Sequence, residues 1–221
     1  MTKKLYVFHL DETLIRTDCS VEWNQFLVEK GVVNDPNYLE EDRRLMAEYA
    51  AGNQNLDEYL TFALSPLVSM PTTDVSALVD ECITTRIIPT VYPEAKALID
   101  KLSEENTQMV IISASVSFLV EAIAEKLGLK NALGVDLEIL NGCYTPKVRG
   151  VASYKEGKVA RLKQWMESES IAVDEIHFYT DSINDLASCL YADHVYLVNP
   201  CAKLREFARN TDWTILPWGN A

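Results

Sequence analysis

The residues best equipped for chemistry sit just past a short apolar run near the N-terminus. Leu5-Tyr6-Val7-Phe8 reads as a buried strand, and it stops abruptly at His9, Asp11, Glu12 and Thr13. His9 and Asp11 are two residues apart, so on an extended chain their side chains project in similar directions. A buried strand that delivers an imidazole and a carboxylate to its C-terminal end is an active-site candidate, because open α/β sheets bind ligands beyond that end. An ordinary strand followed by a polar turn fits this stretch alone equally well.

A second group lies near the other end of the chain, in Thr180-Asp181-Ser182-Ile183-Asn184-Asp185. Two carboxylates four residues apart, leaving an apolar strand and entering a helix, make a hard oxygen site. Mg²⁺ takes such ligands and keeps several waters, so one or two protein carboxylates suffice. Helix capping by one Asp is the simpler alternative, with the other adding favourable charge in the first turn. Ser113, which ends the apolar run Val110-Ile111-Ile112, and Lys158, early in a helix after Gly157, are each weak signals alone. A hydroxyl at a strand end and a compact ammonium both suit a phosphoryl group.

Taken together, these stretches resemble the haloacid dehalogenase-like (HAD) phosphatases. That family carries a hydrophobic strand followed by Asp-x-Asp-x-Thr, a strand-end Ser or Thr, a Lys, and an Asp-Ser-x-x-Asp motif. Here the first motif reads His9-x-Asp11-x-Thr13, and Ser113, Lys158, Asp181 and Asp185 follow in the family's order. The resemblance is closest to the branch that includes phosphoserine phosphatase, and it implies a phosphoaspartyl mechanism on a small phosphorylated metabolite with Mg²⁺. Under it, Asp11 is the general acid/base and a metal ligand through its backbone carbonyl. Asp181 is the direct metal ligand and Asp185 a supporting one. Ser113 and Lys158 bind phosphate, and Thr13 braces the loop. Arg16, Asp18 and Ser20, just past the first motif, are candidate substrate-binding residues at the entry to a cap.

His9 stands where the family has its nucleophilic Asp. It could act as a nucleophile through a phosphohistidine. It could ligate a softer divalent metal, since imidazole suits zinc, nickel or copper better than magnesium. It could mark a protein that binds phosphate or metal without turnover, or an inactivated variant of such a phosphatase. It could also be structural, with a satisfied hydrogen bond. The reading taken is a metal-dependent phosphohydrolase of atypical nucleophile position, with a catalytically impaired binding protein as the alternative.

The elements that must position these groups follow from periodicity. Apolar residues at helical spacing over 21–30, 39–51, 56–67 and 75–87, with Gly31 and Gly52 as stops, predict helices and no strand. Residues 17–88 therefore read as a helical cap inserted into a core made of 1–16 and 89–221. From Pro93 onward helices (93–102, 117–127, 154–167, 183–191, 202–210) alternate with strands (108–113, 175–180, 194–198, 213–216). Asn141-Gly142 signals a hairpin turn. This grammar predicts an α/β fold: a three-layer, Rossmann-like core with a mostly parallel sheet.

A chain of 221 residues with 48% hydrophobic content has ample material for that core. Its net charge of −13 argues against nucleic acid or an anionic membrane as partner. No apolar run is long enough for a transmembrane helix. Five scattered cysteines without a C-x-x-C pair suggest neither zinc nor a disulfide framework. A reducing cytoplasm is the simplest compartment.

Overall fold

Strand β1 (Lys4–Phe8) alternates its side chains between two cores, which is why its sequence is apolar without a break. Leu5 and Val7 join Val110, Ile112, Phe178 and Leu197 in one buried cluster. Phe8 joins Ile111, Tyr179 and Val198 in the other. The computed structural model describes residues 2–53 and 55–219. Its main sheet has six strands in the order β3-β2-β1-β6-β7-β8: β2 (Gln108–Val116), β3 (Ala132–Val135), β6 (Glu175–Thr180), β7 (His194–Val198) and β8 (Thr214–Leu216) join β1. Every pair within it is parallel. Helices cover both faces, so the expected α/β, Rossmann-like architecture is the one found.

The chain winds from β1 outward to β2 and β3, then crosses back to β6 and continues outward the other way. The order therefore reverses between β1 and β6, and a crevice opens at their C-terminal ends. His9 extends this central pairing by one bond, its N–H donating to the Tyr179 carbonyl at 2.9 Å.

Between β1 and β2 lie helices α1 (Cys19–Glu29), α2 (Tyr38–Ala51), α3 (Leu56–Leu64) and α4 (Thr72–Cys82), followed by a π turn (Ile83–Ile87) and a 3₁₀ turn (Ile88–Thr90). Among the described residues of 19–90, none forms a strand of the sheet. Asp18 starts α1 by accepting from the Ser20 and Val21 N–H groups at 2.8 and 3.1 Å. Asn55 does the same for α3. Gly52 closes α2 in the left-handed conformation, φ 80°, which glycine adopts without a Cβ clash.

The remaining helices are α5 (Pro93–Glu104), α6 (Ser117–Leu127), α7 (Glu156–Ser168), α8 (Leu186–Tyr191) and α9 (Ala202–Ala208). A separate hairpin, β4 (Leu137–Leu140) and β5 (Cys143–Val148), turns at Asn141 and Gly142, both with positive φ as a two-residue I′ turn requires. It reaches the inserted helices: the Thr72 N–H donates to the Gly142 carbonyl at 2.8 Å.

Besides shifts of one to three residues at helix ends, three differences from the periodic reading lie at the sheet's C-terminal edge or in its inserted helices. Strand β2 runs on to Val116 instead of ending at Ser113, because its serines face polar partners rather than water. The helix expected over 183–191 begins as a 3₁₀ turn (Ile183–Asp185), with the Ser182 hydroxyl accepting from the Asn184 N–H at 3.2 Å. The helix expected over 75–87 widens into the π turn after Cys82.

Candidate active site

Five strand-end residues converge on the crevice. His9 and Asp11 leave β1, Ser113 lies on β2, Asp181 leaves β6, and Asp185 ends the 3₁₀ turn beyond it. Lys158 comes from the first turns of α7. The preceding segment can bend tightly enough only because residue 157 is glycine: a Cβ there would lie 2.1 Å from the Ala152 carbonyl oxygen.

The centre of the site is a sealed ion pair. Lys158 Nζ lies 2.5 Å from Asp185 Oδ1, with side-chain exposures of 1% and 0%. Asp185 Oδ2 accepts from the Thr180 hydroxyl at 2.8 Å. Burial opposes ionisation of Asp185, but the Lys158 ammonium and the hydrogen bonds from Lys158 and Thr180 outweigh it and hold its carboxyl below the usual range. Such a pair is costly to break, because the survivor would be a buried, uncompensated charge.

His9 packs against this pair. Its Nδ1 lies 3.2 Å from Lys158 Nζ and 3.4 Å from the Ile112 carbonyl oxygen. Its Nε2 faces Asp181 Oδ1 at 3.8 Å, beyond hydrogen-bond range. Burial, then the Lys158 ammonium, push the imidazole below its ordinary range, so the ring is neutral near pH 7. The ring thus has one nitrogen anchored and the other turned toward Asp181.

Asp181 accepts from the Thr13 hydroxyl at 2.9 Å. Its carboxyl is pushed up to about 8, chiefly by burial. Among the described residues no lysine or arginine pairs with it. A buried carboxylate without a balancing cation fits a divalent metal. The residues that would hold one are Asp181, Asp185 and the Asp11 backbone carbonyl, an oxygen set suited to Mg²⁺.

Asp11 turns the other way, toward the inserted helices. Its Oδ2 accepts from the Ser113 and Ser115 hydroxyls at 3.0 and 3.2 Å, and its Oδ1 from the Cys19 N–H at 2.7 Å. Glu12 beside it has φ 54°, a left-handed conformation uncommon for a residue with a Cβ. Beyond Asp11 is a small cavity of about 20 Å³, bordered by Asp18, Ser20, Tyr49, Tyr59 and Ser115. That is room for about one water. Asp18 is driven well above the usual carboxylate range, first by burial and then by the charge of Asp11.

Of the residues expected from sequence, His9, Asp11, Thr13, Ser113, Lys158, Asp181 and Asp185 meet in one cluster. Asp18 and Ser20 border the adjoining cavity. Arg16 does not join them: it is exposed, and its guanidinium donates to the Thr90 and Pro89 carbonyls at 3.3 and 3.4 Å. Thr13 braces Asp181 rather than facing the cavity. Reasoning from sequence missed Ser115, Tyr49 and Tyr59. Ser115 was findable, since it lies two residues past Ser113 and so on the same face of the strand. The tyrosines read as ordinary helix residues.

Comparison with known proteins agrees with this geometry. The model of the haloacid dehalogenase-like hydrolase family matches residues 6–188. A histidinol-phosphatase of Neisseria meningitidis serogroup C (strain 8013) is 30% identical over 218 residues, covering 97% of this chain and 98% of that one. A protein of unknown function from Bordetella pertussis Tohama I superposes with a TM-score of 0.90 at 28% identity, over 98% of this chain and 99% of its own. A phosphoserine phosphatase solved as an analogue of its phospho-aspartyl intermediate superposes with a TM-score of 0.71 at 23% identity, over 99% and 95% of the two chains, and shares the fold.

Proposed function

We propose, since this chain belongs to the haloacid dehalogenase-like hydrolase family, that it is a divalent-metal-dependent hydrolase of a small phosphomonoester whose alcohol part carries a cationic group. The observation that carries this reading is the meeting of Asp11, Ser113, Lys158, Asp181 and Asp185 at the C-terminal ends of β1, β2 and β6. Helices α1–α4 serve as the cap. The cavity they leave holds about one water, so substrate enters when they lift and is sequestered when they close.

In this reading the Ser113 hydroxyl turns from Asp11 Oδ2 to a phosphoryl oxygen, and Lys158 supplies positive charge. A Mg²⁺ held by Asp181, Asp185 and the Asp11 carbonyl would offset the negative charge of the phosphate. His9 attacks phosphorus through Nε2, in the tautomer whose Nδ1–H donates to the Ile112 carbonyl. The phosphorus–oxygen bond to the alcohol breaks, and Asp11 gives its proton to the departing oxygen. Asp11 then takes a proton from water, which attacks phosphorus and breaks the phosphorus–nitrogen bond.

The cap cavity argues for the cationic group. The acidic side chains of Asp11 and Asp18 border it, and among the described residues no lysine or arginine does; burial and the Asp11 charge favour a proton on Asp18, which a cation entering the cavity would displace. Tyr49 and Tyr59 also line it, and aromatic rings are compatible with a cationic guest. Histidinol phosphate, the substrate class in the name of the Neisseria relative, is the first compound to test.

One contact favours a second reading, capture without turnover. An ammonium cannot accept a hydrogen bond, so Lys158 at 3.2 Å can bond to Nδ1 only through the ring's lone pair there. The proton then sits on Nε2, which is no longer a nucleophile.

Phosphate release from histidinol phosphate, phosphoserine and p-nitrophenyl phosphate, with Mg²⁺, Mn²⁺ or Zn²⁺, separates the two. Hydrolysis predicts metal-dependent release that is fastest with histidinol phosphate and lost in His9→Gln. It also predicts an alkali-stable phosphoenzyme. Asp18→Asn should raise KM for histidinol phosphate and leave p-nitrophenyl phosphate unaffected. Release by His9→Asp alone would overturn hydrolysis by the chain and establish capture.

A further inference from the structure

At the opposite edge of the sheet, the strand register brings three potential metal ligands onto one face. His177 on β6 is the direct partner of His194 on β7. Glu175 is two residues before His177, hence on the same face. Their ligating atoms all lie within 4.8 Å of one another. Glu175 Oε2 is 3.4 Å from His177 Nε2 and 3.8 Å from His194 Nε2. Ligands placed tetrahedrally around zinc at their usual bond lengths are about 3.4 Å apart.

His177 supplies an independent sign. It is 4% exposed, and its Nε2 is buried and makes no hydrogen bond, although Glu175 Oε2 lies 3.4 Å away. Buried polar atoms in folded proteins normally make hydrogen bonds. The ring is otherwise fixed: it lies between Tyr6, stacked at 4.5 Å with an interplanar angle of 4°, and His194, stacked at 4.5 Å and 22°, and Nδ1 lies 3.2 Å from the Tyr196 hydroxyl. A ring nitrogen whose opposite N–H is held by an outer partner is the usual arrangement of a metal-bound histidine.

We infer that Glu175, His177 and His194 form a second divalent-metal site, for Zn²⁺ or a similar borderline cation, at the N-terminal edge of β6 and β7. Two imidazoles and one carboxylate favour that class over Mg²⁺ or Ca²⁺. His194 is stacked on His177, but its side chain is 49% exposed, so it can turn off that stack to close the ligand set and leave a fourth position to water. Lys4 Nζ lies 3.4 Å from the same Glu175 oxygen. Its side chain is 42% exposed, so the ammonium can move out to solvent, and it competes with the metal until it does. The site is separate from the crevice: His177 and Asp181 are four residues apart on one chain, about 13 Å along an extended strand.

The test is a Co²⁺ titration of the protein in saturating Mg²⁺, read by the intense visible absorption of tetrahedral Co²⁺ and reversed by Zn²⁺. Wild type and Asp181→Asn should each bind one such Co²⁺ per chain. His194→Gln and Glu175→Gln should weaken binding by about tenfold or more, and Lys4→Met should tighten it. Because His194 is exposed, its variant tests the site without disturbing the core, and its Mg²⁺-supported phosphate release should match wild type. Absence of the tetrahedral band in wild type would overturn the inference. So would a band that vanishes in Asp181→Asn and survives in His194→Gln, since that Co²⁺ would belong to the crevice.

Discussion

The two ends of β6 carry similar chemistry in different settings. At the C-terminal end, Asp181 and Asp185 meet His9 and Lys158, and every one of these side chains is buried. At the N-terminal end, Glu175 meets His177, His194 and Lys4 where only His177 is buried. Carboxylates, imidazoles and an ammonium occur at both. What differs is cover. Water at the open end screens the charges and lets Lys4 and His194 move. The closed end excludes water, so each charge must find a partner in the protein, in a ligand, or in a proton.

That contrast can be broken in four ways, taken from the largest expected effect. Asp11→Asn removes the group proposed to transfer the proton while keeping an oxygen for the Cys19 N–H. Turnover should fall by about 10²–10⁴-fold with little change in melting temperature. Activity within tenfold of wild type would mean that Asp11 only ties α1 to the core.

Lys158→Met leaves Asp185 buried and unpaired, and should cost about 3–5 kcal/mol of stability in urea unfolding. Adding Asp185→Asn should recover most of it. A single-variant cost under about 1 kcal/mol, the range of exposed ion pairs, would show that the closed end is as well solvated as the open one.

Asp181 gives a pH test. Its carboxyl is pushed up to about 8 in the folded chain, against about 4 when unfolded. Between those values the folded state holds a proton that the unfolded state has released. Metal-free stability should therefore fall as pH rises from about 4 to about 8. In chelator at pH 8, Asp181→Asn should melt above wild type, each kcal/mol appearing as about 2–4 °C. The two should converge near pH 4. Mg²⁺ should raise the wild-type melting temperature and leave the variant's unchanged. A higher melting temperature for wild type at pH 8 in chelator would refute the picture of an uncompensated carboxyl.

The smallest effect is expected at the open end. Lys4→Met should change stability by less than about 1 kcal/mol, because the Lys4–Glu175 pair is partly exposed. A larger loss would mean that this ion pair, rather than a metal, is what the open end is built around.

Much of the closed end was legible in the sequence, for a definite reason. Residues that act at a strand end follow an apolar run and precede a helix, so Asp11, Ser113 and Asp181 could be placed by pattern. Lys158 needed the family resemblance, because a lysine early in a helix has no pattern of its own. Arg16, close to the first motif in sequence, lies outside the cluster: the chain turns after Ile15, and the guanidinium bonds to the Pro89 and Thr90 carbonyls. The open end left no signal. Glu175 and His177 alternate within one strand, but His194 lies on another, and only the β6–β7 register joins them.

Local pattern by itself determined the α/β grammar, the helical insertion after β1, and the strand ends that carry ionisable groups. Each of these depends on residues close in sequence, through side-chain period and burial. The tertiary structure alone decided that Lys158 pairs with Asp185, that Ser115 and two tyrosines border a cavity with Asp18, and that His177 keeps a buried nitrogen without a hydrogen bond. Those facts depend on how distant segments pack and on which of them water can reach, and no short stretch of chain encodes either.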